Sequence, residues 1–303
     1  MTWHLIPLEL LIPWCPSLLS SAGGRYSSTM NLEDSLGDIL RKARVSNHVT
    51  PEAAAAAAEL GVPEYEHLEE TGVPPTGTRF DALGTLLTLS GSRLAGLAHG
   101  WRPAPVDLTL WQGLEIITTA GEGMTVNAYL AWDPATREAA LFDTGFEAEP
   151  VEELLQRHAL RLSHIFITHS HPDHVAALGP IRKRHPSARV HSGSSKVPPD
   201  QRVIPDAVVE VGTLRVANRA TPGHAEDGVT FVITGWSGDP PAVAVVGDAI
   251  FAGSMGGARN ELPLARARVR EMVLSMANDT LLCPGHGPMT TVGQEKLHNP
   301  WFP

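Results

Sequence analysis

Apolar side chains recur at helical spacing through the first third of the chain, over residues 32–100. Within residues 36–44, for example, they occupy positions 36, 39, 40 and 43. Thr50, Pro51 and Glu52 resemble a helix start, since a hydroxyl caps the first turn, proline suits its first position and a carboxylate favours the positive end of the helix dipole. The pattern predicts a small all-α domain with helices at these two places and at 63–70, 81–89 and 92–98.

Short apolar runs separated by turn residues replace the helical pattern in the rest of the chain. Residues 101–107 contain two prolines and are predicted to link the helical domain, 32–100, to a second domain, 108–303. In this second domain the runs predict helices and strands in alternation. The helices are expected at 150–157, 174–184 and 264–276, and the strands at 114–119, 125–131, 139–142, 162–168, 188–191, 207–211, 214–220, 229–234, 242–246 and 280–283.

The first 31 residues do not have the pattern of a folded element. Their apolar stretch, 3–19, contains three prolines and Glu9, and the first basic residue, Arg25, follows it instead of preceding it. A secretory signal is therefore disfavoured. We expect a poorly ordered or docked tail, or an upstream extension of a chain that naturally begins near Met30.

Composition argues against several classes of protein. The net charge is −10 at pH 7, whereas nucleic-acid and anionic-membrane partners select basic surfaces. No apolar run reaches the roughly 18 residues that a membrane span needs. Two cysteines, Cys15 and Cys283, do not make a disulfide framework, and Cys283 is expected to pack in a strand. These features favour a cytoplasmic protein, and 14 histidines against 3 tyrosines direct attention to metal chemistry.

The strongest chemical signal is Thr-His-Ser-His-Pro-Asp-His at residues 168–174, between an apolar strand and a helix. His169 and His171 are two residues apart, so an extended backbone points both rings to one side. Asp173 and His174 follow the turn and face a second point nearby. Imidazole and carboxylate groups are ligands of Zn²⁺, Fe and Mn²⁺.

Three further residues follow the ends of predicted strands. His224 ends Thr-Pro-Gly-His, Asp248 ends Val-Val-Gly-Asp, and His286 lies in Cys-Pro-Gly-His-Gly. Layered α/β folds present such loops at one edge of a sheet. Their shared placement indicates that these three side chains belong to the same centre as the motif at 168–174.

The sequence resembles the metallo-β-lactamase fold superfamily, and within it the glyoxalase II-like (hydroxyacylglutathione hydrolase-like) metallohydrolases. The resemblance covers about residues 108–303 and rests on the motifs at 168–174, 221–224, 247–254 and 284–301. It implies an α/β fold, an αββα sandwich, here preceded by the small helical domain. It also implies a site for two metals, the first held by His169, His171 and His224, the second by Asp173, His174 and His286, with Asp248 bridging them.

This resemblance implies a dinuclear hydrolase. Two divalent cations about 3.5–4 Å apart, zinc in preference to iron or manganese, would lower the pKa of a shared water, whose hydroxide attacks a carbonyl. Asp173 and Asp248 are the predicted catalytic carboxylates, which offset the charge of the cations and orient the nucleophile. Asp143 either holds a histidine from outside the centre or caps a turn. Weaker candidates for contact with substrate are Arg259, Asn260 and Lys296.

Departures from the family pattern bear on the substrate. Ala225 follows Thr-Pro-Gly-His where the family often has threonine, and Gly287 follows His286 with no tyrosine after Tyr129. The basic tail that grips glutathione is reduced to Lys296 and His298. We therefore expect a small-molecule acyl thioester, ester or lactone as substrate instead of a glutathione thioester.

Persulfide dioxygenases share these motifs and provide the enzymatic alternative. In that case a single iron would be held by His169, His224 and Asp248. The two readings differ in the number of metals and in the need for oxygen.

Residues 32–100 resemble a Cro/C1-type helix-turn-helix domain, through Leu40, Arg41 and Arg44 and the segments 49–62 and 82–98. The helix that would enter the major groove, 63–70, holds four carboxylates and no Lys or Arg, so it would repel phosphate. We expect a degenerate scaffold used for packing or for a homodimer, with no nucleic-acid or membrane partner. A ligand-sensing DNA-binding regulator is the alternative of another class.

Overall fold

Two β-sheets lie face to face, and helices cover the outer face of each, in the computed structural model, which describes residues 31–258 and 261–303. The predicted tail, apart from Asn31, and both Arg259 and Asn260 lie outside the described residues.

The helices are α1 Leu36–Ser46, α2 Pro51–Ala58, α3 Val62–Thr71, α4 Phe80–Leu86, α5 Gly91–Ala98, α6 Glu149–Arg157, α7 Pro172–Val175, α8 Leu178–Arg184, α9 Leu262–Arg268 and α10 Val292–His298. The strands are β1 Leu114–Gly121, β2 Met124–Trp132, β3 Glu138–Phe142, β4 Arg161–Ile167, β5 Arg189–Ser192, β6 Val208–Val211, β7 Leu214–Ala220, β8 Val229–Thr234, β9 Val243–Gly247, β10 Leu281–Pro284 and β11 Thr290–Thr291.

The strand order places the predicted motifs at one edge. The first sheet runs β1-β2-β3-β4-β5 and the second β11-β10-β9-β8-β7-β6. Strands β3, β4 and β5 are mutually parallel, as are β9 and β10. Parallel strands end at the same edge of a sheet, and the loops that leave β3, β4, β9 and β10 there carry the chemical motifs.

Aromatic side chains fill the space between the sheets. The ring of Phe166 lies 4.9 Å from that of Phe142 in its own sheet and 5.0 Å from that of Phe231 in the other. All three are fully buried, with Val245 and Leu281 around them. Their burial removes large apolar surfaces from water and holds the two sheets together.

The helices that cover the two sheets come from different parts of the chain. Val151 of α6 and Ile181 of α8 cover the first sheet. The second sheet is covered by α1 to α5 together with α9 and α10, since Ile39 and Leu94 belong to the same buried cluster as Val246. The predicted αββα sandwich with a preceding helical region is therefore confirmed. The division into separate domains stays a prediction, as does the helix-turn-helix assignment.

The predicted linker is docked on the sandwich. The ring of Trp101 stacks on that of His298 at 4.9 Å between centroids, and the N–H of Ala104 donates to the Gln294 side chain at 2.6 Å. Arg93 of α5 donates to the carbonyls of Lys296, at 2.7 Å, and of Asn299, at 2.9 Å. These contacts hold α10 against the helical region.

A largely buried ion pair joins α1 to α3. Arg44 donates to both carboxylate oxygens of Glu69, at 2.7 and 2.8 Å, and the Tyr65 hydroxyl donates to the same carboxylate at 2.8 Å. One of the four carboxylates in segment 63–70 therefore faces the protein interior. The helix start at Thr50 forms as predicted, with its hydroxyl accepting from the N–H of Ala53.

Two predicted helices differ from the structure in detail, and one helix was missed. The helix expected at 174–184 is divided into α7 and α8, because the N–H of Ala177 turns to the carbonyl of Gly145. The helix expected at 264–276 continues after α9 as a π-turn, Val269–Val273. Helix α10 was not predicted, since its buried residues, Val292 and Glu295, form no apolar stripe. None of the helices in the described ranges is both long and apolar enough to cross a membrane.

Candidate metal centre

The structure brings together all seven side chains predicted as metal ligands, at the edge where the parallel strands end. Each comes from a loop or helix start that follows a strand. The residues are His169 and His171 after β4, Asp173 and His174 in α7, His224 after β7, Asp248 after β9, and His286 after β10. Their role as ligands stays a prediction.

Three histidines form the first group. Nδ1 of His171 lies 3.0 Å from Nε2 of His169 and 3.0 Å from Nε2 of His224. One proton on His171 Nδ1 can serve only one of these two neighbours. Three ring nitrogens that converge in this way form a half-shell of the kind that a cation completes.

Asp173, His174 and His286 form the second group. The Asp173 carboxylate lies 3.1 Å from Nε2 of His286 and 3.4 Å from Nε2 of His174. His174 is fully buried, and the side chain of Asp173 is 16% exposed. The group therefore has a closed inner side and one carboxylate open to the surface.

Asp248 lies between the groups. Its Oδ2 is 3.4 Å from Nε2 of His224 in the first group and 3.5 Å from Nε2 of His286 in the second. Its Oδ1 is 3.3 Å from Nε2 of His174. The carboxylate thus contacts both groups at once, as the predicted bridging role requires.

Hydrogen bonds outside the cluster orient four of the five rings. Nδ1 of His174 donates to Asp143 at 2.8 Å, and Nδ1 of His286 donates to the carbonyl of Thr125 at 2.6 Å. For the other two rings the acceptors are the Gly257 carbonyl, 3.0 Å from Nδ1 of His224, and the Thr168 hydroxyl, 3.1 Å from Nδ1 of His169. In the neutral ring, a proton on Nδ1 leaves the lone pair of Nε2 directed into the cluster, which is the form that binds a metal.

The electrostatic field differs between the groups. Burial lowers the pKa of His169 to about 2, so this ring is neutral. Burial also opposes the charged form of His174, but Asp143 and Asp248 outweigh it and raise its pKa to about 10. Asp173 and Asp248 likewise overcome burial and raise the pKa of His286 to about 11. The negative charge of the carboxylates therefore stabilises positive charge inside the cluster.

Two orphaned atoms test whether cations fit. Nε2 of His174 and Oδ1 of Asp248 are buried and, in the part of the chain described, form no hydrogen bond. An unpartnered buried polar group costs about 1–3 kcal/mol, and these two face each other at 3.3 Å. A divalent cation satisfies both, and the surrounding nitrogen and oxygen donors suit zinc, iron or manganese. The residues present therefore fit metal ions.

Glycines let the cluster close. A Cβ on Gly285 would collide with Oδ1 of Asp248, and a Cβ on Gly256 would collide with the Asp248 carbonyl. The backbone can approach the candidate ligands only without a side chain at these positions. This explains why glycine precedes the histidine in the motif around His286.

The remaining predicted residues have different outcomes. Asp143 is buried beside the centre and holds His174. The structure does not bring Lys296 to the cluster. Its ammonium donates to the Asn278 side chain at 2.8 Å, and Asn278 precedes β10, whereas His286 follows that strand. Arg259 and Asn260 lie outside the described residues.

Sequence reasoning missed several contributors to the site. Thr125 and Gly257 act through backbone carbonyls, which no residue type signals. Glu33, from the segment before α1, has its backbone against Gly287, and its charge interacts with His286 and Asp248. Burial raises the pKa of Glu33. Only Thr168 had a signal, since it begins the motif at 168–174.

We expect Asp143→Asn to weaken metal binding by about 10–100-fold. Asp143 accepts from His174 and from the N–H and hydroxyl of Thr168, at 2.7–2.8 Å. An amide that still accepts from the Thr168 N–H directs its own N–H at His174 Nδ1, which moves the ring proton to Nε2. The positive φ of 56° at this position is tolerated by asparagine. Competition with a chelator measures the affinity.

Asp133→Asn is the matched control. Asp133 is equally buried and accepts from the N–H groups of Ala135 and Thr213, at 2.9 and 3.0 Å, but no histidine is among its partners. We expect this variant to lose stability and to keep its metal affinity. Equal affinities in the two variants would show that Asp143 does not act through His174.

Comparison with known proteins gives consistent matches. Residues 121–286 match the family described as Metallo-beta-lactamase superfamily. The human protein named persulfide dioxygenase ETHE1, mitochondrial, is 30% identical over 181 residues, which are 57% of this chain and 69% of that protein. Hydroxyacylglutathione hydrolase GloC of Haemophilus influenzae is 28% identical over 197 residues, 58% of this chain and 92% of that protein. The crystal structure of BLEG-1 B3 metallo-beta-lactamase superposes with a TM-score of 0.54 and 27% identity, over 62% of this chain and 99% of that one.

Proposed function

The chain belongs to the metallo-beta-lactamase superfamily, and on this premise we propose that it is a dinuclear metal-dependent hydrolase of thioesters, esters or lactones. The observation that carries the proposal is the second group, Asp173, His174 and His286. It is complete, and it has its own outer hydrogen bonds to Asp143 and Thr125. The group provides ligands for a second metal, and because persulfide dioxygenases share these motifs, the number of metals actually bound separates the two candidate functions.

Zinc is the metal we propose, on the basis of the imidazole and carboxylate donors, with iron and manganese as alternatives. When bound, a pair of divalent cations supplies a strong nucleophile from water at neutral pH and polarises a carbonyl. Asp248 holds the two groups together and contributes negative charge to both. Asp173, the more exposed of the two carboxylates, would orient the nucleophile.

The surroundings of the centre support a substrate other than a glutathione thioester. GloC of Haemophilus influenzae is a hydroxyacylglutathione hydrolase by name. Here Gly287 follows His286, and no tyrosine occurs after Tyr129. Lys296 is engaged with Asn278, and Glu33 adds a negative charge near His286. A small, uncharged acyl thioester, ester or lactone meets no electrostatic opposition there.

A persulfide dioxygenase is the second candidate, favoured by the similarity to the human protein of that name. Such an enzyme would use one iron held by His169, His224 and Asp248. In the structure, Oδ2 of Asp248 lies 3.4 Å from Nε2 of His224 and 3.9 Å from Nε2 of His169. This subset is therefore available within the seven residues.

Metal analysis combined with two activity assays tests the proposal. We expect about two metal ions per chain and hydrolysis of an S-acyl thioester, lost on chelation and restored by zinc alone. No oxygen should be consumed with a persulfide substrate. One iron per chain with oxygen uptake on a persulfide would replace the hydrolase by the dioxygenase.

A further inference from the structure

The loop after β9 supports the candidate metal centre on three sides. This loop, residues 249–258, is called here the Asp248 loop because it follows that carboxylate. The N–H of Gly256 donates to the carbonyl of Asp248 at 3.1 Å, and the carbonyl of Gly257 accepts from His224 at 3.0 Å. The ring of Phe251 meets the ring of His286 edge-on at 5.9 Å. Movement of the loop would therefore disturb three predicted ligands.

The helical region fastens this loop through Asp34. The Ser254 hydroxyl, fully buried in the loop, donates to Oδ2 of Asp34 at 2.5 Å. Lys42 of α1 donates to both oxygens of the same carboxylate, at 2.7 and 2.8 Å. Asp34 is only 5% exposed, so its bond to Ser254 is shielded from water, while the Lys42 side chain is 30% exposed. Together, Asp34, Lys42 and Ser254 form what we call the Asp34 network.

Lys42 also reaches the loop directly. Its ammonium lies 3.4 Å from the carbonyl of Met255 and 5.7 Å from the centre of the Phe251 ring. The opposite side of Ser254 is held by the sandwich, since the Asn299 side chain donates to the Ser254 carbonyl at 2.8 Å. The loop is thus held between α10 and the segment that precedes α1.

We propose that Asp34 is a positioning residue for the metal centre, so that the helical region completes the site and is not merely attached to it. Asp34 contacts none of the seven predicted ligands. It acts through Ser254 on the loop whose Gly256 N–H, Gly257 carbonyl and Phe251 ring contact Asp248, His224 and His286 respectively. The inference rests on the metal centre proposed above but not on the reaction proposed for it.

Asp34→Asn tests this role with the metal alone. The amide keeps the size of the side chain, but its N–H confronts the Lys42 ammonium, so the network opens. We expect zinc affinity to fall about tenfold, the lower end of the range for groups outside the ligand shell. We also expect the visible absorption spectrum of the cobalt-substituted protein to change, since that spectrum follows the geometry around the metal.

Asp38→Asn is the matched control. Asp38 lies four residues further on, at the start of α1, and its carboxylate bonds Ser35 and Arg41 without reaching the loop. This variant should bind zinc like the unmodified protein and keep the cobalt spectrum. A loss of affinity equal to that of Asp34→Asn would assign the effect to α1 as a whole and overturn the proposal.

Ser254→Ala alters the Asp34 network from the side of the loop. It tests the positioning role of Asp34 if Asp34→Asn does not fold. It removes one hydroxyl and leaves the Lys42–Asp34 pair intact. A weakened zinc affinity with a changed cobalt spectrum supports the proposal. Unchanged metal binding in this variant, or in folded Asp34→Asn, would show that Asp34 contributes to the fold but does not position the metal centre. Absence of metal from the unmodified protein would instead reject the metal centre itself.

Discussion

Replacing Asp248 with asparagine is expected to lower kcat/KM for an acyl substrate at least about a thousandfold, and to reduce the metal bound per chain. Asp248 is a carboxylate whose Oδ2 lies within 3.5 Å of histidine nitrogens in both groups of candidate ligands. The amide removes a negative charge from the cluster and directs an N–H at histidine nitrogens that carry lone pairs. Loss of several kcal/mol of transition-state stabilisation corresponds to about three powers of ten in rate.

Asp239→Asn makes the same chemical change at the other end of β9. Asp239 is exposed in the turn that precedes the strand. We expect this variant to keep its metal and its turnover. Metal content by elemental analysis and steady-state kinetics on the two variants provide the comparison. A full complement of metal and unimpaired turnover in Asp248→Asn would exclude the bridging role.

The centre was predictable because its members follow strands. An apolar run that ends in histidine or aspartate identifies both the strand and the edge at which the side chain emerges. Since β4 is parallel to β3 and β5, and β9 is parallel to β10, these strands end at the same edge within each sheet. Local sequence therefore contained the information, and family resemblance supplied the pairing of the two sheets.

The supporting contacts were not predictable for a different physical reason. Thr125 and Gly257 contribute backbone carbonyls, which every residue possesses. Asp34 and Ser254 are 220 residues apart, and neither lies in a recognisable pattern with the other. Such contacts depend on how the layers pack, which the periodicity of a single helix or strand does not reveal.

The docking of the helical region illustrates the same limit. Helical spacing identifies the apolar face of α1 but not the surface that covers it. In the structure, Ile39 lies in a cluster with Val246 and Leu282 of the second sheet. Both strands are apolar on their two faces, so the sequence predicts burial on each side without naming the partner.

In segment 63–70, an ion pair removes one of the predicted carboxylates from the helix surface. Its four carboxylates predict repulsion from phosphate. Glu69, however, faces inward and is occupied by Arg44, 25 residues earlier in the chain. The acidic character of the helix surface therefore rests on the remaining three.

Replacing Glu69 with alanine is expected to cost about 3–5 kcal/mol of unfolding free energy, because it leaves the Arg44 guanidinium buried without its partner. The side chains of this pair are only 16% and 8% exposed, so water does not compensate for the loss. The Tyr65 hydroxyl also loses its acceptor. The midpoint of denaturant unfolding should fall accordingly, with an unchanged slope.

Glu70→Ala changes the neighbouring carboxylate of the same helix, which is exposed, and should alter stability by no more than about 0.5 kcal/mol. Replacing the pair together, Arg44→Met with Glu69→Leu, should recover much of the loss, because no buried charge then remains unpaired. The double variant retains the cost of the unpaired Tyr65 hydroxyl and of the lost bond from Arg44 to the Val49 carbonyl. If Glu69→Ala proved as stable as Glu70→Ala, the ion pair would contribute nothing to the helical region, and apolar packing against the second sheet would account for its stability alone.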